Sequence, residues 1–365
     1  MIIDQCDELN INIMKAIVKT ISALVVLCLL LSSTALAQES SVEVLKAYEE
    51  RMQGNLEQAT TILTNLLEKD STNAMAHFEM ARILDDSKKQ THITKALKYD
   101  PDNTMYHFYQ ANLYMLEAYK GMRGNQTTKV REHVEQCHNQ LKLLLDLKPD
   151  CKESLLFLVE VYGAVPDMYG GDPEIATLYH ERLKKVDQLY AAQGELVLAA
   201  SEGSNIDMVG FWQQHIDQNG ETLEGLIKLG KAQLMSNDIE SATKNFKKVI
   251  KQNPQYMTLY LDIARAHLYN AMRAGDQADK DLKLFKKNIN MYLDNASKKP
   301  NLLQAWCYGW LGMIEQRQGN KDEADKYLSK AEELMPNFPR FTAVPTVDGP
   351  PNVIAYRYKS YFTPF

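Results

Sequence analysis

The chain has 365 residues, 45% hydrophobic and 24% charged, and its 41 basic and 47 acidic side chains leave a formal net charge of −6. This is ordinary globular composition, which excludes a collagen-like or low-complexity polymer. The acidic balance and the absence of a basic stripe argue against a nucleic-acid partner.

The amino-terminal segment reads as an export signal. Ile21 to Leu31 is an apolar run of about 11 residues, too short to span a bilayer. Lys15 and Lys19 precede it, and Ala35-Leu36-Ala37 follows as a small-x-small cleavage site that makes Gln38 the first mature residue. Asp4, Asp7 and Glu8 carry the wrong charge for a leader, so Met14 is the expected start. The mature chain is expected in the periplasm, with no transmembrane segment.

From 40 to 336 the pattern is helical throughout. Helix-ending positions fall at Ser71, Pro101, Pro149, Gly220, Pro254, Pro300 and Pro336. Proline stops a helix because it lacks an N–H and clashes with the preceding turn. Asp70-Ser71-Thr72-Asn73 and Asp100-Pro101-Asp102-Asn103 are the same turn with and without proline. One unit is expected from Val42 to Leu67. Between Pro149 and Gly220 lie two more, with helices near 151–164 and 172–187, then 188–201 and 205–218. The whole amounts to about eight helix pairs.

Three of the turns are unusual. Tyr119-Lys120-Gly121-Met122-Arg123-Gly124-Asn125-Gln126 is echoed by Asn270-Ala271-Met272-Arg273-Ala274-Gly275-Asp276-Gln277. Each precedes a long second helix, 127–147 or 278–297. Both read as extended helix pairs with a glycine-containing turn, or as one rim that holds a partner through Arg123 and Arg273. The third runs from Val165 to Pro173. There Asp172 is a good N-cap, Pro173 suits the first helical position, and Gly170-Gly171 allows backbone angles closed to other residues. It serves as a structural turn or as a binding loop.

Catalytic and metal signals are weak. His77, His107 and His267 fall on core-facing positions of first helices and read as hydrogen-bonded core residues. His133 and Cys137 share a helix face, but a structural zinc site needs four ligands. Cys137 lies mid-helix, about 15 Å of helix rise before the turn at Pro149. A bridge to Cys151 would need Cα atoms within about 7 Å. Cys307 stands several units away. No nucleophile elbow, phosphate loop or His-Glu-x-x-His motif occurs. No cofactor and no catalysis are expected.

Two segments carry one ordered residue set with one set of spacings: Leu226, Leu229, Gly230, Ala242, Phe246, Val249, Pro254, and Tyr308, Leu311, Gly312, Ala324, Leu328, Ala331, Pro336. This resembles the tetratricopeptide repeat, whose pattern runs W-x-x-L-G-x-x-Y, then A-x-x-x-F, then P. The small residues let two helices cross closely, and the aromatic or leucine fills the gap one turn on. The resemblance implies an all-α, right-handed superhelical solenoid of helix–turn–helix units that share one continuous core. It also implies that the second, fifth, ninth and twelfth positions of first helices line a concave groove.

Carried onto this sequence, the groove positions are Met75, Phe78 and Arg82; Met105, Phe108, Asn112 and Met115; Glu153, Leu156 and Glu160. They continue through Glu224, Ile227, Lys231 and Leu234; Leu261, Arg265 and Leu268; and Trp306 and Met313. A register shifted by one residue would make some of them interhelical core instead. The list is rich in methionine, an adaptable residue of promiscuous surfaces.

Residues 337–365 fall outside the repeats. They hold five prolines and seven aromatics, Phe338, Phe341, Tyr356, Tyr358, Tyr361, Phe362 and Phe365. Disordered tails are poor in aromatics, so this tail is expected to pack, either capping the last helix pair or lying in the groove. Together these readings predict a non-enzymatic, exported repeat protein that binds a peptide or protein partner in its groove. The alternative is a ligand-binding accessory of a solute transporter, in an envelope complex, with a closed apolar interior.

Overall fold

The computed structural model describes residues 41–335, except 85, 125, 274–277 and 298. The export segment and the aromatic tail therefore lie outside the described residues. Within them the chain is all helical and no strand occurs.

Sixteen α-helices follow one another among the described residues, in eight successive pairs. The first two pairs are α1 (41–52) with α2 (Leu56–Lys69), and α3 (Ala74–Ile83) with α4 (Asp86–Tyr99). Then follow α5 (Thr104–Arg123) with α6 (Thr127–Leu147), and α7 (Lys152–Ala164) with α8 (Pro173–Lys184). The fifth and sixth are α9 (Gln188–Ser201) with α10 (Met208–Asn219), and α11 (Leu223–Met235) with α12 (Ile239–Gln252). The last are α13 (Leu259–Arg273) with α14 (Asp279–Asn295), and α15 (Asn301–Arg317) with α16 (Lys321–Leu334).

Local chemistry starts these helices. The side chains of Asn73, Asn103, Asp187 and Thr222 accept from backbone N–H groups in the first turns of α3, α5, α9 and α11. Such caps satisfy donors that have no partner inside the helix. The related turns at 70–73 and 100–103 are built alike. His77 Nε2 meets the Ser71 carbonyl at 3.1 Å, and His107 Nε2 meets the Pro101 carbonyl at 2.7 Å.

First and second helices differ in burial, and that difference makes the layers. On α6 the buried residues are Val130, Val134, Cys137, His138, Leu141, Leu144 and Leu145. They recur every three or four positions, the mark of a helix with one covered face. On α7 every residue from Ser154 to Gly163 is buried. First helices are therefore the inner layer, packed on several sides, and second helices the outer one.

The core falls into several clusters of unequal size. One large cluster runs from Phe108 on α5 to Ala191 on α9, and another from Leu226 on α11 to Ile314 on α15. A small cluster of Ala192, Trp212, Leu229 and Ala232 lies between them in chain order. Here the fifth pair departs from the expected hairpin: α9 packs chiefly on α7 and α8, and α10 on α11. Small residues explain it. A Cβ on Gly194 would stand 2.9 Å from the His180 ring, and His180 Nε2 bonds the Ala191 carbonyl at 2.9 Å. Trp212 is the one buried residue of α10, so little ties that helix to α9.

The last unit returns to the first. Asn301 on α15 donates its side-chain amide to the carbonyl of Gln53, in the turn between α1 and α2. Gly54 in that turn faces the backbone carbonyl of Leu334. These contacts bring the two ends of the solenoid together.

Candidate inner-face site

The inner helices sort the expected groove positions into two kinds. Phe78, Met115, Leu156, Leu261 and Trp306 are buried in the core clusters. Phe108, Ile227 and Leu268 are also buried there, at 7–9% exposure. Met75, Met105, Leu234 and Met313 are half-buried. Glu153 is half-buried and Glu224 is exposed, where its carboxylate accepts from the Tyr256 hydroxyl at 3.4 Å.

The ninth positions are polar through five units: Arg82, Asn112, Glu160, Lys231 and Arg265. Arg82 sits in a buried triad. Its guanidinium and that of Arg51 hold opposite oxygens of Glu79, and all three side chains are shut off from solvent. Asn112 Nδ2 donates to the Phe108 carbonyl at 2.7 Å, while its Oδ1 is buried without a partner.

Glu160 interacts electrostatically with Lys228, and Lys231 with Lys228 and Arg265; the sequence pattern did not single out Lys228 or Asp262. Arg265 is paired with Asp262 on the same helix. Lys228 donates to Gln193 Oε1 on α9 at 2.7 Å. Burial pushes the Glu160 carboxyl well above the usual carboxylate range, with the nearby Lys228 charge opposing the shift only in part. Burial also lowers the Lys228 ammonium to about 8. It lowers Lys231 to about 7, with Lys228 and Arg265 adding repulsion. Lys228 was legible in principle, since it lies one turn from Lys231 on the same helical face.

The three unusual turns are ordered where they are described. Arg123 and Arg273 end their first helices exposed, and Arg273 stacks over the Tyr269 ring at 5.3 Å. Asn125 and residues 274–277 lie outside the described residues. In the third turn Asp172 caps α8 through Glu174 N–H and Ile175 N–H, and its own N–H bonds the Tyr162 carbonyl at 2.8 Å. Gly170 takes a left-handed φ of +102°, and Gly171 packs so tightly on the Val165 carbonyl that no side chain fits.

His107 also bonds Gln140 and His267 bonds Asp281, each at 2.7 Å, so both are satisfied core histidines. Cys137, Cys151 and Cys307 are free and buried. Among the described residues no group of three or more metal-ligating side chains is assembled, and no helix is long and apolar enough to cross a membrane.

Models of the tetratricopeptide repeat match residues 224–256 and 307–338. No curated relative matches the chain. Among solved structures it is similar to a tetratricopeptide repeat protein from Parabacteroides merdae, at 15% identity over 89% of this chain and 100% of that one, TM-score 0.34. Yeast Tom70 is similar at 12% identity over 82% and 76%, TM-score 0.33. The pilF protein of Pseudomonas aeruginosa is similar at 14% identity over 83% and 95%, TM-score 0.26. Tetratricopeptide repeats typically mediate contacts between proteins.

Proposed function

We propose that this chain is an exported scaffold that binds a peptide or protein partner along the inner face of its first helices. The observation that carries the reading is that the ninth position is polar on five of the first helices, α3, α5, α7, α11 and α13, with Lys231 and Arg265 still partly exposed. A solenoid core needs no such polar positions, because neighbouring units bury apolar surface against each other. Burying polar groups costs stability unless they are hydrogen-bonded, whereas a partner can use partly exposed ones to fix its orientation.

Export rests on the sequence alone: the lysines before a short apolar run and the Ala35-Leu36-Ala37 site. A periplasmic partner follows from it. Isolation of the native protein from envelope fractions, with mass spectrometry of what stays bound, tests the partner. Amino-terminal sequencing of the same material tests the export. A mature start at Gln38 is expected, and an intact Met1 or Met14 in the cytoplasm would overturn it.

A further inference from the structure

Among the described residues α1 is the first helix, and its two sides differ. Val44, Ala47 and Arg51 are buried on one side, Val44 and Ala47 in a cluster with Ala59, Leu63 and Met80. Val42, Leu45, Glu49 and Met52 fall on the opposite side, at spacings of three or four residues that share one helical face. Val42 and Leu45 are exposed, Met52 is half-buried, and Leu56 at the start of α2 is exposed as well. A terminal repeat stays soluble by turning a polar face outward. This end face is instead apolar at Val42, Leu45, Met52 and Leu56.

The same unit meets the far end of the chain. Asn301 donates to the Gln53 carbonyl, and a Cβ on Gly54 would stand 3.9 Å from the Leu334 carbonyl. Gln53 and Gly54 link α1 to α2, so the end of α16 arrives within two residues of both Met52 and Leu56. Residues 336–365 continue from that point. They lie outside the described residues, but their chemistry is plain: seven aromatics, with Arg340, Arg357 and Lys359 against Asp348. The first unit has the opposite balance. Residues 41–57 carry Glu43, Glu49, Glu50 and Glu57 against Lys46 and the buried Arg51. Thirty residues extend to about 100 Å, and α1 is about 18 Å long, so reach sets no limit.

We infer that the chain's own carboxy-terminal tail, residues 336–365, docks on this end face of α1, over Val42, Leu45 and Met52, and caps the first unit. Its aromatic rings remove apolar surface from water on both partners, and its basic side chains meet the surrounding glutamates. The small polar contact of Asn301 with Gln53 is thereby extended into a clasp between the two ends of the solenoid. A tail held there leaves the inner face of the first helices clear, whatever that face binds.

Photo-crosslinking in the full chain from Gln38 to Phe365 tests the docking. A benzophenone amino acid carried in place of Leu45 should join to peptides from 336–365 of the same molecule, with a yield unchanged on dilution. The same probe in place of Leu178, exposed on α8, should not join to the tail. A second measurement uses Leu45→Glu. This exposed position tolerates a charge unless the tail covers it, so trypsin should cut after Arg357 and Lys359 about tenfold faster in the variant, because cleavage follows the population of the undocked state. Joining of the Leu45 probe to a second copy, to another helix or to nothing overturns the docking. So does equal joining from Leu178, or equal cleavage of the two proteins. Each of these results leaves the envelope isolation as a separate test of the partner.

Discussion

Gly230 on α11 lies against the ring of Phe246 on α12, where a Cβ would stand 2.8 Å from Cδ1. The same relationship recurs in the last unit, where a Cβ on Gly312 would stand 2.7 Å from Cγ of Leu328. Close crossing of first and second helices thus rests on a missing side chain on one and a buried one on the other.

That relationship predicts opposite failures on its two sides. Phe246→Ala leaves a cavity and should cost about 3–5 kcal/mol. Gly230→Leu overpacks the crossing and should cost about 1–3 kcal/mol. Urea unfolding of both variants checks this, and unchanged midpoints would contradict the crossing.

The Arg51–Glu79–Arg82 triad makes a second test. Glu79→Leu would leave two guanidinium groups buried without their shared carboxylate and should cost about 3–5 kcal/mol. Replacing all three by apolar residues of similar volume should be close to neutral. Thermal melts of the single and triple variants separate an electrostatic role from a packing one.

Lys228 and Lys231 make stability depend on pH on the alkaline side. Their folded values, about 8 and about 7, lie below the ordinary lysine value of 10.5. The unfolded chain therefore holds more protons between about pH 7 and 10, and stability should rise with pH through that window. Lys231→Met should flatten the lower part of the slope, as chemical denaturation at pH 6.5, 8 and 9.5 will show.

Two histidines act on the acid side. Burial lowers His92 and His138 to about 4, with His77 and Lys142 respectively adding to the shift. Both are below the ordinary 6.5, so the unfolded chain binds more protons between about pH 4 and 6.5, and stability should fall on acidification through that range. His138 stacks on Tyr162 with centroids 3.7 Å apart. His138→Phe should keep the stacking and remove its share of the acid loss, measured as a melting temperature at pH 5 against pH 7.

The unit boundaries were legible in the sequence because local chemistry makes them. Asn73 and Asn103 cap, proline and glycine stop, and the second helices show one apolar stripe. The pairing of α9 was not legible. Its alanines and Gly194 permit a close approach to any helix, and only the place of His180 decides which.

The inner face divides in the same way. The register implied by the tetratricopeptide resemblance placed Glu160, Lys231 and Arg265 among the groove positions. The same register also listed Phe78, Leu156 and Leu261, which the fold buries. Spacing states which face a residue occupies, but not how closely the next unit covers it.

The sequence by itself determined an all-helical solenoid and the order of its units, because turns, caps and apolar periods act over a few residues. Only the tertiary structure decided that Glu160 on α7 comes near Lys228 on α11, and that Asn301 closes on Gln53. Those neighbours come from helices one or more units apart, and the curvature that brings them together is the sum of many small packing angles, none of them written at a single position.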